Sequence, residues 1–211
     1  MSDWVAPMGL SIHQSASPSG DTVYWPERLP PRGGRVCLHG SDGGFSGWND
    51  VSCLLLAANL LAANGFVALA HSYNRPRQSG RAPGIDSALL DGTEAALAFL
   101  KQELAGHRCG VGLFGYSRGA EHALLAAQLM AEDGSDATPS AVAVHSPQDA
   151  IWPAFILSDF ETGRDWDGDR HLPAWTWRGN ADRTMPGTLW RGTTSLSRTD
   201  HAGNRGRGLE C

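Results

Sequence analysis

The sequence predicts an α/β fold in which helices cover both faces of a doubly wound, mostly parallel sheet. Short apolar runs, each too short for a helix, alternate with longer segments whose apolar residues recur every three to four positions. This strand–helix unit repeats three times between residues 35 and 145 and is followed by a closing strand. A chain of 211 residues is long enough for one such domain. Folds of this class carry reactive groups at the carboxyl ends of their strands.

Residues 1–32 predict edge strands and a linker. Residues 10–13 and 22–25 are two short candidate strands, separated by a spacer that contains serine, proline and glycine. Such a spacer between alternating segments is typical of a hairpin, which we expect at an edge of the sheet. Residues 35–38 then form the first parallel strand.

The next elements follow from the periodicity of the apolar residues. Residues 48–64 predict a helix, residues 66–70 a buried strand and residues 71–83 a loop. A longer helix is predicted over residues 85–104, with Leu89 among the residues that face the core, and a further strand over residues 140–145. The order of these elements is the one that a parallel sheet requires, because each helix provides a crossover between neighbouring strands.

A glycine-flanked serine lies between the third strand and the third helix. The pentapeptide from Gly115 through Ser117 to Gly119 has the pattern G-x-S-x-G, with an apolar run before it and a helical pattern after it. Strand, tight turn and helix form the context in which this pattern presents a nucleophilic serine above the sheet, an arrangement called a nucleophile elbow. The glycines allow the sharp turn, and the helix N-terminus stabilises negative charge nearby. The alternative is an ordinary serine in a glycine-rich turn.

A second glycine-rich segment, His39-Gly40-Ser41-Asp42-Gly43-Gly44, directly follows the first parallel strand. A serine that transfers acyl groups needs two backbone N–H groups aimed at the oxygen that becomes negative. We expect Arg118 to supply one of them and Ser41 or Asp42 the other. A phosphate-binding loop is the competing interpretation, but the G-x-x-x-x-G-K-[ST] pattern is absent. A plain turn is the third interpretation.

Several segments, in this order, resemble a known family. They are LHGSDGG, LAANGFVALAHSY, TEAALAFL, VGLFGYSRGAEHALL, HSPQDAIW and PAWTWRG. They resemble the α/β-hydrolase domain of the acyl-CoA thioesterase and bile acid-CoA:amino acid N-acyltransferase family, with dienelactone hydrolases as relatives. The resemblance covers about residues 33–180 and implies that Ser117 is the nucleophile, with an aspartate and a histidine further on. Animal members carry a preceding immunoglobulin-like domain, for which residues 1–32 are too few.

The sequence departs from this pattern after Ile156, where it contains no valine and no isoleucine. A further buried parallel strand would lack the residues that normally form one. The fold nevertheless needs two more strands, because their loops carry the acid and the base. We assign residues 33–190 to the hydrolase domain, incomplete or atypical at its C-terminal end. Residues 191–211 have the composition of a disordered segment.

Two interpretations of the remaining chain stay open. In the first, residues 173–177 are a substitute strand, Asp182 is the triad acid and His201 the base. In the second, residues 173–177 belong to an insertion, and the true acid and base are missing. Asp149, soon after the strand over residues 140–145, is the reserve acid.

The other histidines predict no further chemistry. We expect His39 to be a structural part of the glycine-rich loop and His122 to be solvated. His71 shows no signal beyond that of a surface or loop residue. No histidine–carboxylate spacing indicates a metal site, and no cofactor is predicted.

Composition excludes several classes of partner. The net charge is −5 and the basic residues form no cluster, so nucleic acid is not predicted. No apolar run approaches the about 20 residues of a membrane helix, and no signal peptide is evident. The four cysteines have no C-x-x-C spacing, which is typical of reduced thiols in the cytoplasm. The oligomeric state is not indicated.

The resulting hypothesis is a serine hydrolase that cleaves small-molecule acyl thioesters or esters through an acyl-enzyme on Ser117. Within the enzymes, a dienelactone hydrolase-like esterase and an acyl-CoA:amine N-acyltransferase are alternatives. The alternative of a different class is a truncated, catalytically silent hydrolase-like protein.

Overall fold

A computed structural model describes residues 12–27, 29–41, 53–73, 84–85, 87–156 and 173–184. Its strands are β1 Ile12–Ala16, β2 Thr22–Pro26, β3 Gly33–Leu38, β4 Phe66–His71, β5 Gly84–Ile85, β6 Ala88–Leu89, β7 Val111–Tyr116, β8 Val142–His145, β9 Phe155–Ile156 and β10 Trp175–Thr176. Its α-helices are α1 Cys53–Ala63, α2 Asp91–Glu103 and α3 Arg118–Glu132, and Asp182–Thr184 form a 3₁₀ turn.

Six strands form the main sheet, in the order β1-β2-β4-β3-β7-β8. The pairs β4–β3, β3–β7 and β7–β8 are parallel, whereas β1 and β2 pair antiparallel at one edge. The chain moves from β3 to β4 on one side and then crosses back to β7 on the other side. Ligand sites of open α/β sheets lie at such a switch point, outside the carboxyl ends of the strands. The predicted doubly wound, mostly parallel sheet is confirmed.

The side chains of the central strands alternate between two cores, one on each face of the sheet. Val36, Leu69 and Leu113 belong to a large core with residues of α2 and α3. Cys37 and Ala68, next to them in sequence, belong to a smaller core with residues of α1. Successive side chains of a strand point to opposite faces, so strands buried on both faces read as continuous apolar runs.

The N-terminal hairpin is tied to the carboxyl end of β4, at the edge of the sheet where the hairpin was predicted. Asp21 Oδ2 accepts a hydrogen bond from His71 Nδ1 at 2.8 Å, and Asp21 Oδ1 accepts one from the Ser72 N–H at 3.0 Å. Burial alone would raise the pKa of Asp21, but these bonds and one from Ser19 outweigh it and lower the pKa. His71 is therefore a buried, paired residue, and the expectation of an ordinary surface or loop histidine is wrong.

The predicted helix over residues 85–104 begins later, at Asp91. Ala88 and Leu89 instead form β6, which pairs in parallel with Trp175 and Thr176. Leu89 is 55% exposed, although the helical pattern predicted that it faces the core. The pairing partner lies far along the chain, so local periodicity could not reveal it.

Residues 173–177 do not join the main sheet, so the interpretation of this segment as a substitute strand of that sheet is wrong. Their strand β10 pairs with β6 in a separate two-stranded sheet. Trp175 and Trp177 are fully buried there, and Trp177 Nε1 donates to Asp133 Oδ2 at 2.7 Å. The segment thus packs against the main domain through its tryptophans.

Some predicted elements lie outside the described residues. They are the first part of the helix over residues 48–64 and the tail over residues 191–211. Among the residues that the structure does describe, no helix is both long and apolar enough to cross a membrane.

Candidate functional site

Ser117 is the only residue between the end of β7 at Tyr116 and the start of α3 at Arg118, so the predicted strand–turn–helix context is confirmed. Its backbone has φ 53° and ψ −119°, in the left-handed region that residues with a side chain rarely adopt. Such a conformation costs about 1–3 kcal/mol and persists only where the surrounding structure imposes it.

The two glycines of the motif are required by close backbone contacts. A Cβ at Gly115 would lie 2.2 Å from the Gly119 carbonyl oxygen. A Cβ at Gly119 would lie 2.3 Å from the His39 oxygen and 2.4 Å from the Leu38 oxygen. The first turn of α3 therefore rests directly on the backbone at the end of β3, where any side chain would force them apart.

The backbone of Ser117 is held on both sides. Its N–H donates to the His145 carbonyl oxygen at the end of β8, at 2.9 Å. Its own carbonyl oxygen accepts from the N–H groups of Ala120, at 2.9 Å, and Glu121, at 3.3 Å. These bonds fix the serine between a strand and a helix while its side chain remains half-buried.

The glycine-rich loop after β3 approaches the serine through Gly40. A Cβ at Gly40 would lie 3.4 Å from Ser117 Cβ and 3.3 Å from the Tyr116 ring. His39 Nδ1 donates to the Gly40 oxygen at 2.6 Å, and its ring stacks on Tyr73 with centroids 3.9 Å apart. His39 is thus a structural part of this loop, as predicted.

The predicted oxyanion donors are partly within the described residues. Ser41 is the last residue described before the gap, and Asp42 lies outside the described part. The N–H of Arg118 is at the first position of α3. N–H groups in the first turn of a helix have no intrahelical acceptor, so this one is available to a negative oxygen beside Ser117.

The side chain of Arg118 is buried and pairs with Glu121, one turn further along α3. Arg118 Nη1 donates to Glu121 Oε2 at 2.8 Å, and Nη2 donates to the carbonyl oxygens of Trp152, at 3.4 Å, and Pro153, at 3.1 Å. Glu121 Oε1 accepts from Trp175 Nε1 at 2.6 Å and from the Trp152 N–H at 3.2 Å. One ion pair therefore joins the elbow helix to two later segments of the chain.

Burial governs the ionisation of this pair. It raises the pKa of Glu121, which the Arg118 charge and the bonds from the two tryptophans only partly offset. It likewise lowers the pKa of Arg118, against the attraction of Glu121. The guanidinium group lies over the Trp175 ring, 5.2 Å from its centroid, which adds a cation–π contact.

His122 is fully buried, so the expectation of a solvated side chain is wrong. Its Nε2 is hydrogen-bonded to Thr93 Oγ1 at 2.7 Å, and its ring contacts the rings of Tyr73 and Trp175. Burial, with smaller contributions from neighbouring positive groups, lowers its pKa well below the ordinary histidine value of 6.5. His122 is therefore neutral and structural, and its contacts come from residues distant in sequence.

The structure does not bring Asp182 next to Ser117. Its neighbour Arg183 forms ion pairs with Glu132 and Asp133 at the C-terminal end of α3. Ser117 precedes the opposite end of that helix, about 21 Å away at 1.5 Å per residue. His201, the predicted base, lies outside the described residues.

Asp149 lies closer to the elbow along the chain. It is an exposed residue that follows β8, whose last residue, His145, bonds to Ser117. Three residues later, the main chain of Trp152 is held by Glu121 and Arg118. The reserve acid is therefore in a loop that is anchored to the first turn of α3.

Sequence reasoning missed the buried Glu121 and Trp175, which organise the surroundings of the elbow. The available signal was the segment SRGAE, in which an arginine and a glutamate are separated by one helical turn. No group of three or more histidine, cysteine, aspartate or glutamate side chains suited to a metal ion occurs among the described residues.

No family model matches the chain, and no curated protein does. Solved structures with a similar arrangement include a bacterial heroin esterase, 15% identical, with a TM-score of 0.49 over 94% of this chain and 61% of that one. Brefeldin A esterase, described as a bacterial homologue of human hormone-sensitive lipase, is 18% identical, with a TM-score of 0.46 over 63% and 38%. An α/β hydrolase superfamily protein from Enterococcus faecalis is 22% identical, with a TM-score of 0.41 over 63% and 45%.

The chain therefore spans between 38% and 61% of the length of these three structures. Their descriptions name esterases and the α/β hydrolase superfamily. The resemblance to the acyl-CoA thioesterase and N-acyltransferase family remains a prediction.

Substitution of Gly119 by alanine tests the close contact beneath the elbow. Because the new Cβ would meet two backbone oxygens of β3 and its loop, we expect Gly119→Ala to lower the free energy of unfolding by more than about 3 kcal/mol. Urea denaturation measures this loss. Gly106→Ala is the control, since nothing lies within 4 Å of a Cβ there. If the two variants were equally stable, the claim that the backbone leaves no room for a side chain at Gly119 would be contradicted.

Substitution of Glu121 by glutamine tests the buried ion pair. Glu121→Gln leaves the buried Arg118 without its negative partner, and we expect a loss of about 3–5 kcal/mol in the free energy of unfolding. Glu132→Gln is the matched control on the same helix, because its pair with Arg183 is partly exposed and contributes less than about 1 kcal/mol. A Glu121→Gln variant as stable as Glu132→Gln would refute the pair's structural role.

The buried, neutral His122 predicts a pH dependence of stability. Below about pH 6.5 the unfolded chain binds a proton at His122 that the folded protein does not bind. The free energy of unfolding therefore falls as pH decreases from about 6.5 toward the lowered folded-state pKa, by up to about 1.4 kcal/mol per pH unit. Between about pH 7.5 and 5, His122→Gln should lose less stability than the wild type does. A pH slope that is unchanged in His122→Gln would oppose the prediction.

Proposed function

We propose that this chain is an acyl-ester hydrolase in which Ser117 Oγ attacks the carbonyl carbon of the substrate. The observation that carries the proposal is the strained backbone of Ser117, with φ 53°, at a one-residue turn between β7 and α3. A non-glycine residue in this conformation is costly, and such strain is concentrated at functional sites. Gly115 and Gly119 permit the turn because the backbone contacts leave no room for a Cβ at either position.

The reaction would proceed in two steps. Ser117 Oγ forms a bond to the carbonyl carbon while its proton passes to a general base, and the carbonyl oxygen becomes negative. The N–H groups of Arg118 and of Ser41 or Asp42 stabilise this oxygen, each by about 3–4 kcal/mol. The alcohol leaves with the proton from the base. Water then cleaves the acyl-enzyme, and the acid product and free Ser117 are released.

The acid and the base of the triad are proposed on fewer observations than the nucleophile Ser117. His201 is retained as the proposed base on its place in the sequence. Asp182 was the predicted acid, but the ion pairs of Arg183 with Glu132 and Asp133 favour a position far from Ser117. Asp149 is therefore the preferred acid, since it follows the strand whose end bonds to Ser117.

The substrate class is an ester of a small carboxylic acid. An acyl thioester, with hydrolysis or transfer to an amine, is a finer proposal that rests only on the family resemblance of the six segments quoted in the sequence analysis. Product analysis with an acyl thioester, with and without glycine, would separate hydrolysis from transfer. A catalytically silent protein with an intact elbow is the alternative of a different class.

Fluorophosphonate labelling followed by intact-mass measurement tests the proposal. We expect one adduct on the wild type and none on Ser117→Ala, together with a loss of at least about 1,000-fold in kcat/KM for p-nitrophenyl acetate. Ser87→Ala is the matched control, because Ser87 also has a positive φ, 50°, but does not lie in the elbow. Labelling of Ser117→Ala would refute the nucleophile. A folded wild type that neither labels nor hydrolyses esters would support the silent alternative.

A further inference from the structure

Two exposed aromatic side chains lie near the elbow. Among the described residues, the large hydrophobic side chains that remain exposed are those of Leu29, Leu60, Leu89, Tyr116 and Trp152. Tyr116 is 37% exposed and Trp152 is 43% exposed, and these are the aromatic members of the set. Exposed aromatic side chains near a reactive residue are typical of surfaces that bind a ligand.

The ring of Tyr116 forms part of the surface around Ser117. It lies over Gly40, since a Cβ at that glycine would be 3.3 Å from its Cδ1 and Cε1 and 3.4 Å from Ser117 Cβ. The exposed ring of His145 lies beside it, with ring centroids 5.6 Å apart and planes tilted by 32°. His145 is itself bonded to Ser117 through the main chain. Two exposed rings therefore stand side by side at the serine.

Trp152 is held at the same end of α3 by its main chain. Its N–H donates to Glu121 Oε1 and its carbonyl oxygen accepts from Arg118 Nη2. These two bonds fix the residue against the first turn of the helix that begins after Ser117. The charges of Arg118 and Glu121 neutralise each other and are buried, so they offer nothing to an ionic group of a substrate.

We propose that Tyr116, His145 and Trp152 form a subsite that binds an aromatic or similarly planar apolar acyl group of the ester. The proposal rests on the proposed function, which puts the carbonyl carbon at Ser117. Rings with centroids about 4.5–7 Å apart attract one another in offset or tilted arrangements, so a planar apolar acyl group at Ser117 would be attracted to the exposed rings of Tyr116 and His145. The subsite therefore selects for an aryl or arylalkyl acid over a short aliphatic or charged one.

Binding to the Ser117→Ala variant tests the subsite without requiring turnover. Titrations followed by NMR would compare ethyl 3-phenylpropionate, ethyl butyrate and the anion of monoethyl succinate. We expect the phenylpropionate ester to bind at least about tenfold more tightly than the other two. Adding Tyr116→Ala should remove this preference, whereas Leu60→Ala, which removes an exposed leucine on α1, should leave it unchanged.

Trp152→Ala in the same background provides a second variant if Tyr116→Ala does not fold, and it should weaken phenylpropionate binding as well. Equal affinities for the three esters, or a preference that survives both substitutions, would overturn the subsite. Labelling of the wild type with fluorophosphonate is measured separately. If the phenylpropionate ester binds selectively but Ser117 is not labelled, the proposed function fails and the subsite stands. If Ser117 is labelled but no ester is preferred, the subsite fails and the proposed function stands.

Discussion

The structure around the candidate site depends on one steric constraint, the direct contact between the first turn of α3 and the backbone at the end of β3. Gly119 makes this contact, and the position of its missing Cβ is 2.3 Å from the His39 oxygen. Because helix and strand approach so closely, the single residue that joins β7 to α3 has to turn in a strained conformation. That residue is Ser117, with φ 53°. The same contact brings Gly40 against Ser117, so the nucleophile and the glycine-rich loop are positioned together.

Buried polar side chains of α3 stabilise this arrangement. Arg118 and Glu121 form hydrogen bonds that connect α3 to the loop after β8. Glu121 also bonds to Trp175, which lies more than 50 residues later along the chain. His122, from the next position of the helix, bonds to Thr93 at the start of α2. Each polar atom of Glu121 has a partner, which is the condition under which a buried charge is tolerated. The surroundings of Ser117 therefore depend on buried side chains that come from several parts of the chain.

The fold class and the elbow could be predicted from sequence because their signals are local. All the signals for the elbow lie within one short stretch of sequence: an apolar run, two glycines around Ser117 and a helical periodicity. The burial of His122 and the short strand of Ala88 and Leu89 could not be predicted, since both depend on residues brought in from other parts of the fold. The acid also could not be assigned from sequence. Asp182 follows a candidate strand in the sequence, but the ion pairs of Arg183 hold its loop against the far end of α3.

A crystal structure of the fluorophosphonate-treated protein is the most direct test of the account. The account predicts a phosphonyl group on Ser117 Oγ, with one phosphonyl oxygen within about 3.2 Å of the Arg118 N–H and of an N–H from the loop that follows Gly40. Ser117 should keep its positive φ in that structure. A phosphonyl oxygen that faces solvent, or a relaxed Ser117 with negative φ, would contradict the claim that this strained turn presents a nucleophile to an oxyanion site.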